Sequence, residues 1–138
     1  MASAIEVRNL RKVFDGTPAL DGVSLTVPTG AVYGLVGPNG CGKSTLVSHL
    51  SGVMRPTSGD VLVLGEKVFE NPGVKVRIAC VPSESYFIGS ESADGMAGFY
   101  RVMFPAFDLS RYLGLEKHFE VDHTKPLRKL SRGMRAQA

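Results

Sequence analysis

The chain has 138 residues, a hydrophobic fraction of 43%, a charged fraction of 21% and a formal net charge of +3. This length and composition are typical of one folded globular domain. The sequence has no apolar run long enough to span a membrane and no secretory signal. Its two cysteines could form at most one disulfide bond, which excludes a fold held together by several disulfides. The basic residues from Lys125 to Arg135 are interpreted as a solvated face, so nucleic acid is not the expected partner. We expect a cytosolic domain with reduced thiols.

Short strands are predicted in the first third of the chain. Residues 5–10 and 12–14 precede a turn at Asp15 and Gly16, and residues 23–27 alternate apolar with polar side chains. This alternation is typical of an antiparallel sheet with one exposed face. Residues 31–36 are almost continuously apolar, which predicts a strand buried on both faces, as in a parallel sheet.

The rest of the chain mixes helix and strand patterns, which predicts an α/β fold. A break in the last helical region is expected near Pro105. In chain order, the predicted elements are a helix of about ten residues carrying Leu46, Val47, Leu50 and Val53, a turn at 55–59, a strand at 60–64, a second buried strand at 77–81, and helix from about 91 to 119.

A glycine-rich stretch, GLVGPNGCGKST at residues 34–45, follows the first buried strand. It fits the phosphate-loop pattern of Gly, four residues, then Gly-Lys-Ser/Thr. Glycines let backbone N–H groups turn inward around phosphate oxygens, and the positive end of the following helix points to the same place. Lys43 is expected to reach the β- and γ-phosphates, Ser44 to ligate Mg²⁺, and Thr45 to donate to a phosphate oxygen. The predicted phosphate-binding residues are Gly37, Pro38, Asn39, Gly40, Cys41, Gly42, Lys43, Ser44 and Thr45.

Four stretches, in order along the chain, resemble the ATP-binding subunit of the ABC (ATP-binding cassette) family. They read RKVFDGTPALDGVSLTVPTGAVYGLVGPNGCGKST, GVMRPTSGDVLVLG, IACVPSE and LRKLSRGM. The resemblance implies a P-loop NTPase fold with a RecA-like core, an antiparallel β subdomain and a helical subdomain. It also implies ATP and Mg²⁺ as cofactors. By the same resemblance, residues up to about 90 form the β subdomain and P-loop core, about 91–130 the helical subdomain, and 130–134 the signature.

Two further nucleotide contacts follow from the resemblance. Phe14 falls where the family places an aromatic that stacks on adenine; its alternative is a core aromatic at a strand end. Ser131 and Gly133 belong to a variant of the LSGGQ signature, in which Ser131 caps a helix facing the γ-phosphate of a second subunit. The alternative for Ser131 is an ordinary serine cap of a helix. The implied assembly is a head-to-tail dimer with ATP between the subunits, coupled to a membrane permease.

The sequence departs from the family pattern in two motifs. Ser83 occupies the Q-loop position, where the family has Gln or Glu near Mg²⁺ and the attacking water, unless Glu84 takes that place. Ser83 is too short to act in the same way directly, and Glu84 is alternatively a solvated loop charge. In the signature, Arg132 and Met134 replace Gly and Gln, a variant that resembles bacterial exporter-type subunits.

The family's Walker B carboxylates and switch histidine have no counterpart in this sequence, which ends at Ala138. We therefore expect an N-terminal fragment with exposed apolar strand edges and marginal stability. His49, His118 and His123 are interpreted as surface or helix residues.

Three functions remain open at this stage. The first is the ATPase subunit of a bacterial transporter, peripheral on the inner face of the membrane and acting in export. The second is a soluble non-transport ABC protein acting on nucleic acid or ribosomes. The third is a nucleotide-binding remnant that does not hydrolyse ATP.

Overall fold

The computed structural model describes residues 2–81, 90–119 and 122–137, and the chain divides into two compact units, Met1–Cys80 and Val81–Ala138. The first unit is built on a sheet. Its elements are strand β1 (Ser3–Phe14), strand β2 (Thr17–Pro28), helix α1 (Lys43–Leu50), strand β3 (Ser58–Val63), strand β4 (Glu66–Lys67) and helix α2 (Pro72–Lys75).

The sheet has the strand order β2-β1-β3-β4, and every neighbouring pair is antiparallel. β1 and β2 form a hairpin around Asp15 and Gly16, whose φ angles of 46° and 82° match the two-residue turns that follow the twist of a hairpin. The register pairs Val7 with Leu25 on one side and with Val61 on the other. The antiparallel strands and the turn between them are as the sequence predicts.

The core of the first unit lies between the sheet and α1. Leu46 on α1 is buried in this core, and it packs the helix against the sheet. The loop that precedes α1 is therefore held next to the sheet. α1 ends at Leu50, so Val53, which was predicted on its apolar face, is exposed. The buried residues of this core are Val7, Leu10, Leu20, Leu46, Val61, Val63, Val68 and Val74.

The two strands predicted to be buried on both faces are absent from the described residues. Residues 31–36 have no regular structure, and Val32 and Val36 are exposed at 103% and 95%. Residues 77–81 form a turn and an irregular segment, with Val81 at 88% exposed. A parallel strand needs hydrogen-bonded neighbours to bury its backbone, and among the described residues neither segment pairs with a strand of the sheet. The prediction of buried strands is wrong here. The exposed apolar side chains of these two segments lie in irregular backbone and not at the strand edges that were expected to expose them.

The second unit is helical. It contains helix α3 (Ala93–Met103), helix α4 (Leu109–Phe119), a 3₁₀ turn (Leu127–Lys129) and helix α5 (Arg132–Gln137). The break between α3 and α4 includes Pro105, as predicted. A small core joins the start of α3 to the 3₁₀ turn through Ala93, Leu127 and Leu130. Among the described residues, no helix has the length and apolar character needed to cross a membrane.

We predict that Leu10→Ala lowers the free energy of unfolding by about 2–5 kcal/mol, because it leaves a cavity in the first core. Val36→Ala is the matched change in the predicted strand, and we expect an effect within about 0.5 kcal/mol because that side chain is exposed. Urea unfolding followed by circular dichroism measures both variants. A loss for Val36→Ala equal to that for Leu10→Ala would contradict the structure and support a buried strand.

Candidate nucleotide-binding site

The glycine-rich stretch leads directly into the N-terminus of α1. The helix begins at Lys43, and Gly42 precedes it as the N-cap residue with φ 90° and ψ 5°. Within the part of the chain that the structure describes, no side chain caps this end. The first N–H groups of a helix have no intrahelical partner, and the helix dipole makes this end attractive to anions. The end of α1 therefore has the chemistry of a phosphate site.

Gly42 also lies against β2. A Cβ atom on Gly42 would fall 2.6 Å from the Ala19 carbonyl oxygen and 2.8 Å from Leu20 Cδ2. Positive φ and this close approach both require glycine at the position. The loop is thereby fixed to the sheet at the residue where the helix starts.

Lys43 is folded back into the loop. Its Nζ donates hydrogen bonds to the carbonyl oxygens of Gly37 and Pro38, both at 2.6 Å, and lies 3.7 Å from Cys41 Sγ. Phosphate oxygens carry more negative charge than carbonyls and form stronger hydrogen bonds with an ammonium group.

The two hydroxyl residues follow Lys43 in the first turn of α1. Ser44, the predicted Mg²⁺ ligand, is exposed, and Thr45 is half-buried. The predicted lysine and hydroxyl groups thus lie at the same helix end.

Phe14 is the last residue of β1 and is 44% exposed. The ammonium of Lys12 lies 5.0 Å from the centre of its ring, a cation–π contact. Lys12 also donates to the Arg55 carbonyl oxygen at 3.1 Å. The exposure argues against the alternative of a buried core aromatic at this strand end.

The signature residues lie in the second unit. The Ser131 hydroxyl accepts a hydrogen bond from the Met134 N–H at 3.2 Å, and Arg135 N–H donates to the Ser131 carbonyl oxygen at 2.9 Å. Ser131 therefore caps α5 in the manner predicted from the sequence. Gly133 is exposed. The two Q-loop candidates, Ser83 and Glu84, lie outside the described residues.

The three histidines occupy different environments. His118 and His49 are helix residues, as interpreted, although His49 is only 1% exposed. His123 is a half-buried turn residue and fits neither part of that interpretation. His49 lies three residues after Leu46, and that spacing places both on one helix face. The helical spacing was the sequence signal for its burial.

His49 is bonded within its own helix. Its Nδ1 lies 2.7 Å from the Thr45 carbonyl oxygen, which can only accept, so Nδ1 donates this hydrogen bond. Nε2 is buried without a hydrogen-bond partner among the described residues. The ring borders a cavity of about 350 Å³ that is also lined by Asp60 and Lys67, an ion pair at 2.6 Å. The bond to Thr45 makes His49 a structural part of α1.

Comparison with known proteins identifies the family of the chain. The family model described as ABC transporter matches residues 20–138. The chain belongs to the ABC transporter family. ABC transporter ATP-binding protein YtrB of Bacillus subtilis (strain 168) is 33% identical to it over 133 residues, which cover 96% of this chain and 46% of YtrB.

Two further relatives match shorter parts of this chain. Daunorubicin/doxorubicin resistance ATP-binding protein DrrA of Streptomyces peucetius is 49% identical over 77 residues, or 55% of this chain and 23% of DrrA. Arabinose import ATP-binding protein AraG of Burkholderia pseudomallei (strain K96243) is 54% identical over 79 residues, or 57% of this chain and 16% of AraG. The chain thus spans less than half the length of each of these relatives.

A solved structure has the same fold. The chain is similar to a putative ABC transporter ATP-binding protein from Pyrococcus furiosus, with a TM-score of 0.80, 26% identity, and coverage of 96% of this chain and 66% of that one. The fold is that of a P-loop ABC ATPase, as the resemblance implied.

We predict that Gly42→Ala abolishes detectable Mg-ATP binding, because its Cβ meets the backbone of Ala19 and forces the loop away from β2. Gly30→Ala is the matched control. Gly30 also has a positive φ, of 80°, but a Cβ there meets nothing within 4 Å. Titration calorimetry should give an affinity for Gly30→Ala within about threefold of the parent, since its backbone strain of about 1–2 kcal/mol lies outside the loop. Equal affinities for the two variants would contradict this account of the loop.

Proposed function

We propose that the chain is part of the ATP-binding subunit of a membrane transporter. In this proposal it binds Mg-ATP and, as a head-to-tail dimer with a second copy or a partner subunit, hydrolyses ATP to drive transport through a permease. The observation that carries the proposal is the loop at the start of α1. There an uncapped helix N-terminus, Gly42 and Lys43 bring together the groups that bind phosphate.

The residues of the loop fit ATP and Mg²⁺. Lys43 binds the β- and γ-phosphates in place of the Gly37 and Pro38 carbonyls, and the N–H groups of residues 40–45 bind the phosphate oxygens. Ser44 holds Mg²⁺ through its hydroxyl, and Thr45 donates to a phosphate oxygen. Magnesium, when bound, neutralises the charge of the phosphates during phosphoryl transfer.

Phe14 is proposed to stack on the adenine base. Its exposed ring already receives a cation on one face from Lys12. An aromatic face accepts a base by stacking without selecting among bases. Phe14 therefore contributes affinity for the base, and Lys43 contributes affinity for the phosphates.

The signature is proposed to complete the ATP site of the opposite subunit. Ser131 caps α5, and a Cβ on Gly133 would meet nothing within 4 Å, so the backbone around Gly133 is open to approach. We assign residues up to about 90 to the β subdomain and P-loop core, about 91–130 to the helical subdomain, and 130–134 to the signature. The division of the chain into compact units after Cys80 supports two subdomains, with a boundary about ten residues earlier.

The second unit is proposed to bind the cytoplasmic loops of the permease, which would hold the subunit at the inner face of the membrane. Apolar side chains at the end of α3 are exposed. Contiguous exposed apolar groups are typical of interaction sites. These side chains are Phe99, Tyr100, Val102, Met103 and Phe104.

Export is the proposed direction of transport. The signature variant at Arg132, Gly133 and Met134 favours it, and DrrA is named for drug resistance. AraG, by contrast, is named for arabinose import. Reconstitution of the full-length subunit with its permease in inside-out vesicles distinguishes the two: ATP-driven accumulation in the lumen means export, and ATP-driven loss means import.

We predict that Lys43→Ala weakens Mg-ATP binding at least 100-fold, because the phosphates lose their ammonium partner. Lys117→Ala, an exposed lysine on α4, is the control and should bind as the parent does. Calorimetry measures the affinity, and phosphate release on the same sample measures turnover. Unchanged affinity in Lys43→Ala would contradict the P-loop assignment.

We expect the 138-residue polypeptide to bind Mg-ATP without turnover. The resemblance places the catalytic carboxylate after the signature, and the residues after Gly133 include no acidic side chain. Phosphate release that is lost in Lys43→Ala would instead assign the base to a residue of this chain, with Glu84 the first candidate.

We predict that Ser131→Asp spares ATP binding by the monomer and blocks ATP-dependent dimerisation. Aspartate still caps α5, but its charge faces the γ-phosphate of the opposite subunit. Ser131→Ala separates the two effects, because it removes the cap, at a cost of about 0.5–2 kcal/mol, without adding charge. Sedimentation velocity with and without Mg-ATP measures the dimer. If the Asp variant dimerises like the parent, the role of Ser131 at the second site is wrong.

A further inference from the structure

Three side chains from separate segments of the second unit converge on one point. Asp94 lies in the first turn of α3, Glu116 lies on α4, and His123 lies in the turn before the 3₁₀ segment. One carboxylate oxygen from each acid and one ring nitrogen of the histidine all lie within 4.8 Å of one another. The sequence pattern does not indicate this group, because its members are separated by 22 and 7 positions.

Both carboxylates face the same ring nitrogen. Asp94 Oδ2 is 4.0 Å from His123 Nε2, and Glu116 Oε1 is in closer contact with it. A single proton on Nε2 can form a hydrogen bond with only one of the two carboxylates at a time. A divalent cation bonds both carboxylates and the lone pair of a neutral imidazole together. On a tetrahedral zinc ion with bonds of about 2.0–2.2 Å, neighbouring ligand atoms are about 3.4 Å apart, so small side-chain rotations bring these three atoms onto one ion.

The exposure of Glu116 points to a cation as well. Its side chain is only 14% exposed, so this carboxylate is largely removed from water. Removing a carboxylate from water beside a second carboxylate is unfavourable unless positive charge compensates both. Among the described residues, both acids are ion-paired with the one imidazole of His123, which supplies at most a single positive charge, whereas a divalent cation supplies two.

Asp94 is held in position by a hydrogen bond on its other oxygen. The Tyr112 hydroxyl donates to Asp94 Oδ1 at 2.9 Å, so Oδ2 remains directed at His123. Asp94 N–H also donates to the His123 carbonyl oxygen at 3.3 Å. Hydrogen bonds that orient a carboxylate from outside are a regular feature of metal sites.

We propose that Asp94, Glu116 and His123 form a binding site for a divalent transition-metal cation, with zinc as the probe. One imidazole and two carboxylates suit zinc, and three protein ligands leave a fourth position for water. The two carboxylates balance the charge of the ion. Bound metal joins the start of α3, α4 and the turn that leads to the signature, and so stabilises the second unit.

Zinc titration of the 138-residue chain without nucleotide tests the site. All variants carry Cys41→Ser and Cys80→Ser, because both thiols are exposed and would bind zinc themselves. We expect one equivalent of zinc to bind, and His123→Gln, Glu116→Gln and Asp94→Asn each to weaken binding at least tenfold. His118→Gln is the matched control on α4 and should bind zinc as the parent does.

Two further measurements guard against variants that simply misfold. Tyr112→Phe keeps all three ligands and removes only the hydrogen bond to Asp94; it should weaken zinc binding about tenfold. In ¹⁵N–¹H spectra, zinc should shift Nε2 of His123 and leave the rings of His49 and His118 unchanged. Equal zinc affinity in His123→Gln, no saturable binding below millimolar zinc, or binding without a shift of the His123 ring would each overturn the proposal.

Discussion

The contact between Gly42 and the backbone of β2 is the constraint on which the proposed site depends. At this residue the chain turns with a positive φ and passes so close to the Ala19 carbonyl that a Cβ would lie 2.6 Å from it. The contact fixes the first turn of α1 relative to the sheet, and Leu46 continues the attachment in the core. A loop of glycines would otherwise have high conformational entropy, and this anchor limits it at the end that leads into α1.

Electrostatics in the loop follow from the same anchor. The uncapped N–H groups of α1 attract negative charge, while the ammonium of Lys43 is bonded to the Gly37 and Pro38 carbonyls. Both carbonyls are neutral acceptors, so they leave the positive charge of the ammonium uncompensated. In the proposed function, phosphate oxygens would replace these two neutral acceptors with charged ones.

The second unit depends on polar contacts more than the first does. Among the described residues, the apolar cluster at the start of α3 has three buried members, whereas the cluster around the sheet has eight. Hydrogen bonds and ion pairs add to this small core: Ser92 caps α3, Tyr112 donates to Asp94, and His123 pairs with Glu116. In a region with little apolar burial, such contacts have a large share in positioning the helices.

Local chemistry explains the features that were predictable from the sequence. The Asp15-Gly16 hairpin, the loop before α1, the helix break at Pro105 and the Ser131 cap each depend on residues a few positions apart. The family and its P-loop fold could likewise be predicted from four short stretches of the sequence. The exposure of residues 31–36 could not be predicted in this way, because a strand is buried only where neighbours that lie far away in the sequence pair with it. Tertiary structure also decided the meeting of Asp94, Glu116 and His123, since it arises only when separate segments pack together.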